Sequence, residues 1–328
     1  MLRIGVAGVG HLGRFHAEKY GQIDRCKLIG LYDRDLQRCR ELASKLGVTA
    51  FEDYQALLDA VDAVDISATT TAHYELAKTA LQAGKHVCVE KPITSELWQA
   101  EELVELAKEK NLKLQVGHIE RFNPVTLQVE QFIQDPLFVE SHRISTFQPR
   151  GTDVSVVLDL MIHDIDLILD FVRSPVKEIH ANGVGILTSS VDIANARIEF
   201  ASGAIANVTS SRVSLKQERK IRFFQRDAYI SLDFVAKRAS VTRKSPDLLK
   251  ILPQLLLGNS QIKAEQLVDS QTFDLSQPPK DALTLELESF VDAVLQDKQP
   301  VVDGAAGLRA LQIAMQILEQ IRRQPQIN

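Results

Sequence analysis

Across the first 122 residues, brief apolar runs at 2–7, 27–32, 63–67, 86–90 and 113–117 alternate with stretches at 36–46, 54–59, 73–83 and 96–110 whose apolar positions recur every three or four residues. Strand and helix in strict alternation predict βα units and a doubly wound parallel sheet. In such a sheet ligands bind outside the carboxyl ends of the strands. That rule singles out residues 8–13, 33, 69–73, 90–92 and 118–123.

After Asn123-Pro124 the pattern changes. A helix-like stretch at 125–134 and a strongly apolar one at 156–172 precede alternating segments at 178–186, 193–200, 204–212, 220–226, 228–234 and 239–243, with Ala201-Ser-Gly203 as a hairpin turn. The expectation is a Rossmann domain over 1–122 and an α+β domain with an open, mainly antiparallel sheet over 123–328, the last helices (283–295 and 307–321) returning to the first domain. An open sheet hides one face under helices and leaves the other as a natural subunit interface, so a homodimer or homotetramer is expected. Between 244 and 279 the apolar cluster Leu248, Leu249, Ile251, Leu252, Leu255, Leu256 and Leu257 surrounds Pro253. It reads foremost as packing against the sheet, with a lid, an oligomer contact or membrane-surface docking as alternatives.

Within the first βα unit the chemistry is specific. Gly8-Val-Gly10-His11-Leu12-Gly13 follows the first strand and opens a helix. The first glycine permits the bend, the second lets backbone approach a pyrophosphate, and the third lets helix and strand pack closely; the phosphates then meet the helix N-terminus. Asp33 ends the second strand twenty residues later. A carboxylate there accepts from both adenosine ribose hydroxyls and repels a 2'-phosphate, which favours NAD over NADP. Arg34 and Arg38 soften that preference, because a guanidinium can pair with a phosphate.

The formal charge of −5 over 328 residues, with no basic stretch, argues against a nucleic-acid surface. Cys26, Cys39 and Cys88 lack metal-ligand spacing and read as reduced core thiols, and no metal site is expected. The first strand begins directly after Met1 and no apolar run reaches spanning length, so a soluble cytoplasmic protein without signal peptide or transmembrane segment is expected.

A second constellation lies in 156–172. Asp159, His163, Asp166 and Asp170 fall at i, i+4, i+7 and i+11, which on an α-helix confines them to a stripe about 60° wide. The other positions are nearly all apolar, as in a buried helix touching a small polar cavity. Asp159 beside His163 would fix the imidazole tautomer and raise its basicity, as proton abstraction from an alcohol requires; a structural ion pair is the alternative. Lys91 follows a strand end and precedes Pro92, where an ammonium would hydrogen-bond a substrate oxygen as hydride leaves.

Gly8-x-Gly10-x-x-Gly13, Glu90-Lys91-Pro92 and Asp159-x-x-x-His163 together resemble the three signatures of the Gfo/Idh/MocA oxidoreductases over essentially the whole chain. The resemblance implies NAD(P) at the glycine turn (Gly8, Gly10, His11, Leu12, Gly13, Asp33, Arg34, Ala68, Thr69, His73), Glu90 near the nicotinamide ribose, and Lys91, Asp159 and His163 as the catalytic group acting at a sugar or polyol carbon. The run Val116-Gly-His-Ile-Glu-Arg-Phe-Asn-Pro124, Gly151-Thr-Asp-Val and Asp159-Leu-Met-Ile-His-Asp-Ile-Asp166 is similar to the branch containing UDP-N-acetylglucosamine 3-dehydrogenases of lipid A diamino-sugar synthesis. That similarity implies a sugar side lined by His118, Glu120, Arg121 and Asn123, with Arg121 at the mouth of the crevice for an anionic group such as diphosphate. Alternatively, this run is a linker in which Glu120 and Arg121 brace the second domain. A dehydrogenase of a free sugar or inositol, and a non-catalytic NAD(P)-binding sensor, are the competing functional readings.

Overall fold

The computed structural model describes residues 1–147, 154–248, 251, 253, 263 and 266–323. The chain divides into two compact units, Met1–Phe122 with Lys280–Ile313 and Asn123–Pro279 with Ala314–Asn328.

In the first unit β1 (Leu2–Ala7) is buried at every position but Arg3, as a strand covered on both faces must be. It lies at the centre of a parallel sheet with β2 (Cys26–Tyr32), β3 (Thr49–Phe51), β4 (Ala63–Ile66), β5 (His86–Glu90) and β6 (Leu114–Gly117), in the order β3-β2-β1-β4-β5-β6. The order reverses between β1 and β4, so their carboxyl ends mark the switch point at which such sheets bind ligands. The helices are α1 (His11–Tyr20), α2 (Leu36–Leu46), α3 (Tyr54–Ala60), α4 (Thr70–Gln82) and α5 (Leu97–Glu109). Asp35 and Asp53 cap α2 and α3 by accepting from Arg38 and Ala56 N–H, and Gly47 ends α2 in the left-handed conformation that glycine adopts without strain. The three-residue β3 escapes a reading based on periodicity, because it is shorter than the window in which alternation can be seen.

The second unit is built on one eight-stranded sheet. Its strands are β7 (Phe138–Ile144), β8 (Val176–Val184), β9 (Ile193–Phe200), β10 (Ile205–Ser211), β11 (Glu218–Phe224), β12 (Ala228–Asp233), β13 (Arg238–Lys244) and β14 (Val268–Asp274), ordered β14-β13-β12-β11-β7-β10-β9-β8. Every pairing is antiparallel except β7 with β10. β7 and β14 are additions to the expected set; β14 is polar and exposed along nearly its whole length and lacks the apolar alternation that would reveal it. Val139, Ser141 and Arg143 of β7, Val208 and Ser210 of β10 and Phe223 of β11 are buried. α7 (Ile162–Val172) packs on this face, with Phe171 edge-on to Phe223 at 5.2 Å. The expected helix at 125–134 divides into α6 (Pro124–Val129) and a 3-10 turn, Glu130–Phe132. Asp192, fully buried, accepts the N–H groups of Ile186, Leu187 and Thr188 at 2.7, 2.6 and 2.9 Å and the Arg212 Nε at 2.8 Å, which fixes the turn before β9.

Two helices close the chain, α8 (Ala282–Leu295) and α9 (Gly304–Arg323). Leu287, Phe290 and Val291 of α8 join the core formed by Leu2, Ile4 and Val6, and Lys19 and Arg25 pair with Asp281 and Asp292. Of the apolar cluster in 248–257, Leu249, Leu252, Leu255, Leu256 and Leu257 lie outside the described residues, as do Gly151, Thr152 and Asp153; Leu248 and Ile251 are half-buried. No described helix is long and apolar enough to cross a membrane.

Candidate active site

The glycine turn divides its labour among three positions. A Cβ on Gly8, whose φ is +89°, would lie 2.6 Å from the Ala68 N, and one on Gly13 would lie 1.8 Å from the Gly8 carbonyl oxygen. Both glycines are demanded by the protein's own packing. A Cβ on Gly10 would meet nothing within 4 Å. The protein's own packing leaves that position open, as the second glycine of such a turn must be if a pyrophosphate is to approach the backbone. Gly10 is also the N-cap of α1 with no side chain capping it, so the first-turn amides and the positive dipole end face that space. His11 and Leu12 of this turn are exposed. These residues fit a dinucleotide.

Asp33 ties β2 to the turn. Its carboxylate accepts the Val9 N–H at 2.7 Å, the Asp35 N–H at 2.8 Å and an Arg38 guanidinium N–H at 2.9 Å. Burial pushes its carboxyl up, but these donors outweigh it and hold the pKa below the usual aspartate value. Arg38 therefore stands on the carboxylate itself, whereas Arg34 is exposed.

At the ends of β4 and β5 a buried charged network appears that was not anticipated from the pattern. His16 Nδ1 lies 3.0 Å from Asp65 Oδ2, and its Nε2 lies 3.1 Å from Glu90 Oε1. Asp65 also accepts from the Ser67 hydroxyl at 2.6 Å and the Tyr20 hydroxyl at 3.1 Å, and Glu90 Oε2 accepts the Lys91 N–H at 3.0 Å. The signal was available: His16 and Tyr20 share the inward stripe of α1 with Gly13 and Ala17, where polar side chains need a partner. The Lys91-Pro92 peptide is cis.

His73 lies behind the strand ends. It is 1% exposed, with Nδ1 2.9 Å from the Pro92 carbonyl and Nε2 3.1 Å from the Ala68 carbonyl. Both ring nitrogens face backbone carbonyls, so His73 ties the Lys91-Pro92 turn to the Ala68-Thr69 turn. Burial lowers its pKa against the pull of the two carbonyls. Thr69 is exposed at the N-cap of α4 and Ala68 is half-buried.

His118, Glu120 and Arg121 are 1%, 6% and 8% exposed, the last two in a 3-10 turn, Ile119–Phe122, that follows β6 and packs on α8. An arginine at an open mouth would be more exposed than this. Asn123 has a local duty as the N-cap of α6, its Oδ1 accepting from Val125 N–H at 3.0 Å.

In the second unit the expected straight helix over 156–172 begins with a π-helical turn, Val157–Met161, before α7. In a π turn the backbone bonds run i to i+5, so the 100° per residue that placed four polar residues on one stripe does not hold through Asp159. Asp159 sits within this turn and His163 in the first turn of α7, both half-buried. Asp166 is 2% exposed, and Asp170 stands close enough to Glu130 to raise that carboxyl's pKa, after burial, the larger cause. Asp164, off the stripe, is 2% exposed and accepts from Arg143 Nε at 3.0 Å and a terminal guanidinium nitrogen at 2.7 Å. π turns recur at functional sites because they re-aim side chains without ending the helix. No group of three or more His, Cys, Asp or Glu able to hold a metal occurs among the described residues.

Residues 2–118 match the model of the oxidoreductase family with an NAD-binding Rossmann fold, GFO_IDH_MocA, and residues 125–231 match a GFO/IDH/MocA C-terminal domain. The chain belongs to the Gfo/Idh/MocA family and is an oxidoreductase. It is 36% identical over 317 residues, 96% of each chain, to a UDP-N-acetylglucosamine 3-dehydrogenase of Acidithiobacillus ferrooxidans. The solved structure of that enzyme superposes with a TM-score of 0.87 over 98% of this chain and 97% of its own, at 35% identity. A myo-inositol 2-dehydrogenase of Thermotoga maritima is 26% identical over 94% of this chain and 93% of its own. The fold is shared at 22% identity with a Lactobacillus casei scyllo-inositol dehydrogenase solved with NAD(H) and scyllo-inositol, with a TM-score of 0.79 over 98% of this chain and 97% of that one.

Proposed function

We propose that the protein oxidises the 3-hydroxyl of UDP-N-acetylglucosamine with NAD, giving the 3-keto sugar used in lipid A diamino-sugar synthesis. The observation that carries this reading is the 36% identity over 96% of both chains to the Acidithiobacillus enzyme, in a chain that keeps Glu90-Lys91-Pro92, Asp159 and His163. Retention of Lys91, Asp159 and His163 speaks against a sensor, which has no need of all three. The likeness to the Thermotoga enzyme supports a second reading, oxidation of an inositol or free sugar.

NAD, when bound, accepts the hydride from the carbon bearing the hydroxyl. Lys91 donates a hydrogen bond to the reacting oxygen and lowers its pKa as charge develops there. His163 removes the hydroxyl proton and Asp159 fixes its tautomer. Gly10 and the amides of His11 and Leu12 receive the pyrophosphate, Asp33 the adenosine ribose, and Glu90 the nicotinamide side. His118, Glu120, Arg121 and Asn123 belong to the sugar side, with Arg121 assigned to the diphosphate. In the second unit the exposed sheet face carries a half-buried aromatic row, Phe138, Phe224 and Tyr229, with ring centroids 5.5 and 4.9 Å apart. That row suits the subunit interface of a homodimer or homotetramer, which sedimentation would reveal. We place the enzyme in the cytoplasm, where the reduced nucleotide is recycled.

The test compares UDP-N-acetylglucosamine, free N-acetylglucosamine and myo-inositol at equal concentration with NAD, followed by reduced-nicotinamide absorbance. Turnover of the UDP-sugar far above the other two is expected, because charge-assisted contacts to the diphosphate supply binding energy remote from the reacting carbon. Preference for inositol or the free sugar overturns the nucleotide-sugar reading. Arg121→Ala is expected to weaken the UDP-sugar by about 2 to 4 kcal/mol without changing activity on a free sugar.

A further inference from the structure

We propose that His16 is a positioning residue: held as an imidazolium between Asp65 and Glu90, it keeps Glu90 anionic and oriented beside Lys91, linking the helix that receives the dinucleotide to the group that acts on the substrate oxygen. The proposal rests on the reading of Glu90 and Lys91 given above.

The geometry leaves the imidazole little choice of protonation state. Its nitrogens point in opposite directions, and each meets a carboxylate oxygen, at 3.0 Å on Asp65 and 3.1 Å on Glu90. An ionised carboxylate only accepts, whereas a neutral imidazole offers one N–H and one lone pair. A neutral ring would set that lone pair against an oxygen in a site where His16 and Asp65 are 3% and 1% exposed. Burial opposes the charge on His16, yet the two carboxylates outweigh it and raise its pKa well above the ordinary value. Burial likewise acts to raise the Asp65 and Glu90 carboxyls, and His16 is the foremost group holding both below their usual range.

Glu90 is the member that touches function. It is 14% exposed, so one edge opens to the outside while Oε1 is fixed by His16 and Oε2 by the Lys91 N–H at 3.0 Å. A Cβ on Gly117 of the neighbouring strand would come within 3.1 Å of Oε2, so glycine at that position leaves the carboxylate the space it occupies. The chargeable groups around the network are Tyr20 on α1, Cys26 on β2, Cys88 on β5, Lys91, His73 on α4 and Glu286 on α8. Of these only Lys91 is an ordinary cation, and it sits on the Glu90 side. Without His16, Asp65 and Glu90 become two unneutralised carboxylates in one buried site, and such a pair takes up a proton at higher pH than either would alone.

Two measurements decide the matter. In native protein with nitrogen-15-labelled histidine, both His16 ring nitrogens are expected to keep imidazolium shifts at a pH above the ordinary histidine pKa of about 6.5, where an unperturbed imidazole is neutral. A neutral-tautomer pattern at that pH overturns the proposal, with or without any assay of turnover. In kinetics, His16→Gln is expected to lower kcat about 10- to 100-fold with KM for NAD within about threefold, and to introduce a second acidic limb beside the one that His163 as base sets in the native enzyme. Asp65→Asn added to His16→Gln removes the surplus carboxylate and is expected to abolish that limb. A His16→Gln enzyme with the native pH profile, however reduced its rate, would show a packing role alone and overturn the proposal. Should His16→Gln not fold, the double variant and the nitrogen-15 spectrum carry the test. If the native enzyme oxidises none of the sugars, the dehydrogenase reading falls while the spectrum still decides the network.

Discussion

The glycine turn between β1 and α1 and the π turn leading into α7 are both expected to do chemistry, but they are specified in different ways. At the glycine turn the expected working groups are main-chain amides, held in a turn whose packing excludes side chains at Gly8 and Gly13 and leaves Gly10 open. At the π turn the working groups are the Asp159 and His163 side chains, whose directions depend on the turns between them. A single wide turn, Val157–Met161, changes those directions without altering a residue. Sites made of backbone survive a reading by spacing, while sites made of side chains depend on helix geometry that spacing does not report.

The sharpest test of that contrast removes the side chains themselves. Lys91→Ala and His163→Ala are each expected to lower kcat by two or more orders of magnitude with little change in NAD affinity, since both are assigned to the hydroxyl and not to the adenosine half. Steady-state kinetics beside a cofactor titration checks this; near-native turnover in either variant removes it from the catalytic group.

A smaller effect separates the glycines. Gly13→Ala places a methyl 1.8 Å from a carbonyl oxygen and is expected to lower the melting temperature by several degrees or prevent folding. Gly10→Ala meets open space, so its melting temperature is expected to stay near native while NAD binds about tenfold more weakly or worse. Equal destabilisation in the two variants would mean that Gly10 is a packing glycine and that the turn lacks its cradle.

The smallest effect concerns cofactor choice. NAD is expected to bind at least about tenfold more tightly than NADP, a difference of about 1.4 kcal/mol. Arg38, 2.9 Å from the Asp33 carboxylate, offsets part of the repulsion toward a 2'-phosphate, so Arg38→Ala is expected to widen the gap. Calorimetric titration with both cofactors measures it, and equal affinities in the native protein would show Arg38 or Arg34 to be dominant.

Much of the fold was legible because its elements repeat at periods that chemistry enforces. Five strands of the parallel sheet, the glycine turn and Asp33 followed from apolar runs and spacing, and β12 and β13 from alternation. β3 was too short, and β14 too polar, for periodicity to register. In the candidate site, Glu90 and Lys91 were found by their place at a strand end, but His16 was overlooked because its partners Asp65 and Glu90 lie 49 and 74 residues away in sequence (65 − 16 and 90 − 16). Tertiary pairing at that separation leaves no local trace. The contact of His73 Nδ1 with the Pro92 carbonyl is equally silent in the sequence, since it joins two different elements.

The Arg143–Asp164 pair also bears on how this chain can change over generations. Both partners are almost fully buried, at 4% and 3% side-chain exposure, and loss of either one strands the other charge at about 3 to 5 kcal/mol, a large share of a domain's stability. Neither residue can drift by single steps. A lineage would have to replace both together with apolar residues of matching volume, which a one-substitution walk rarely reaches. The residue next to Asp164 on α7 is His163, so the pair holds the register of the proposed base without placing any demand on substrate.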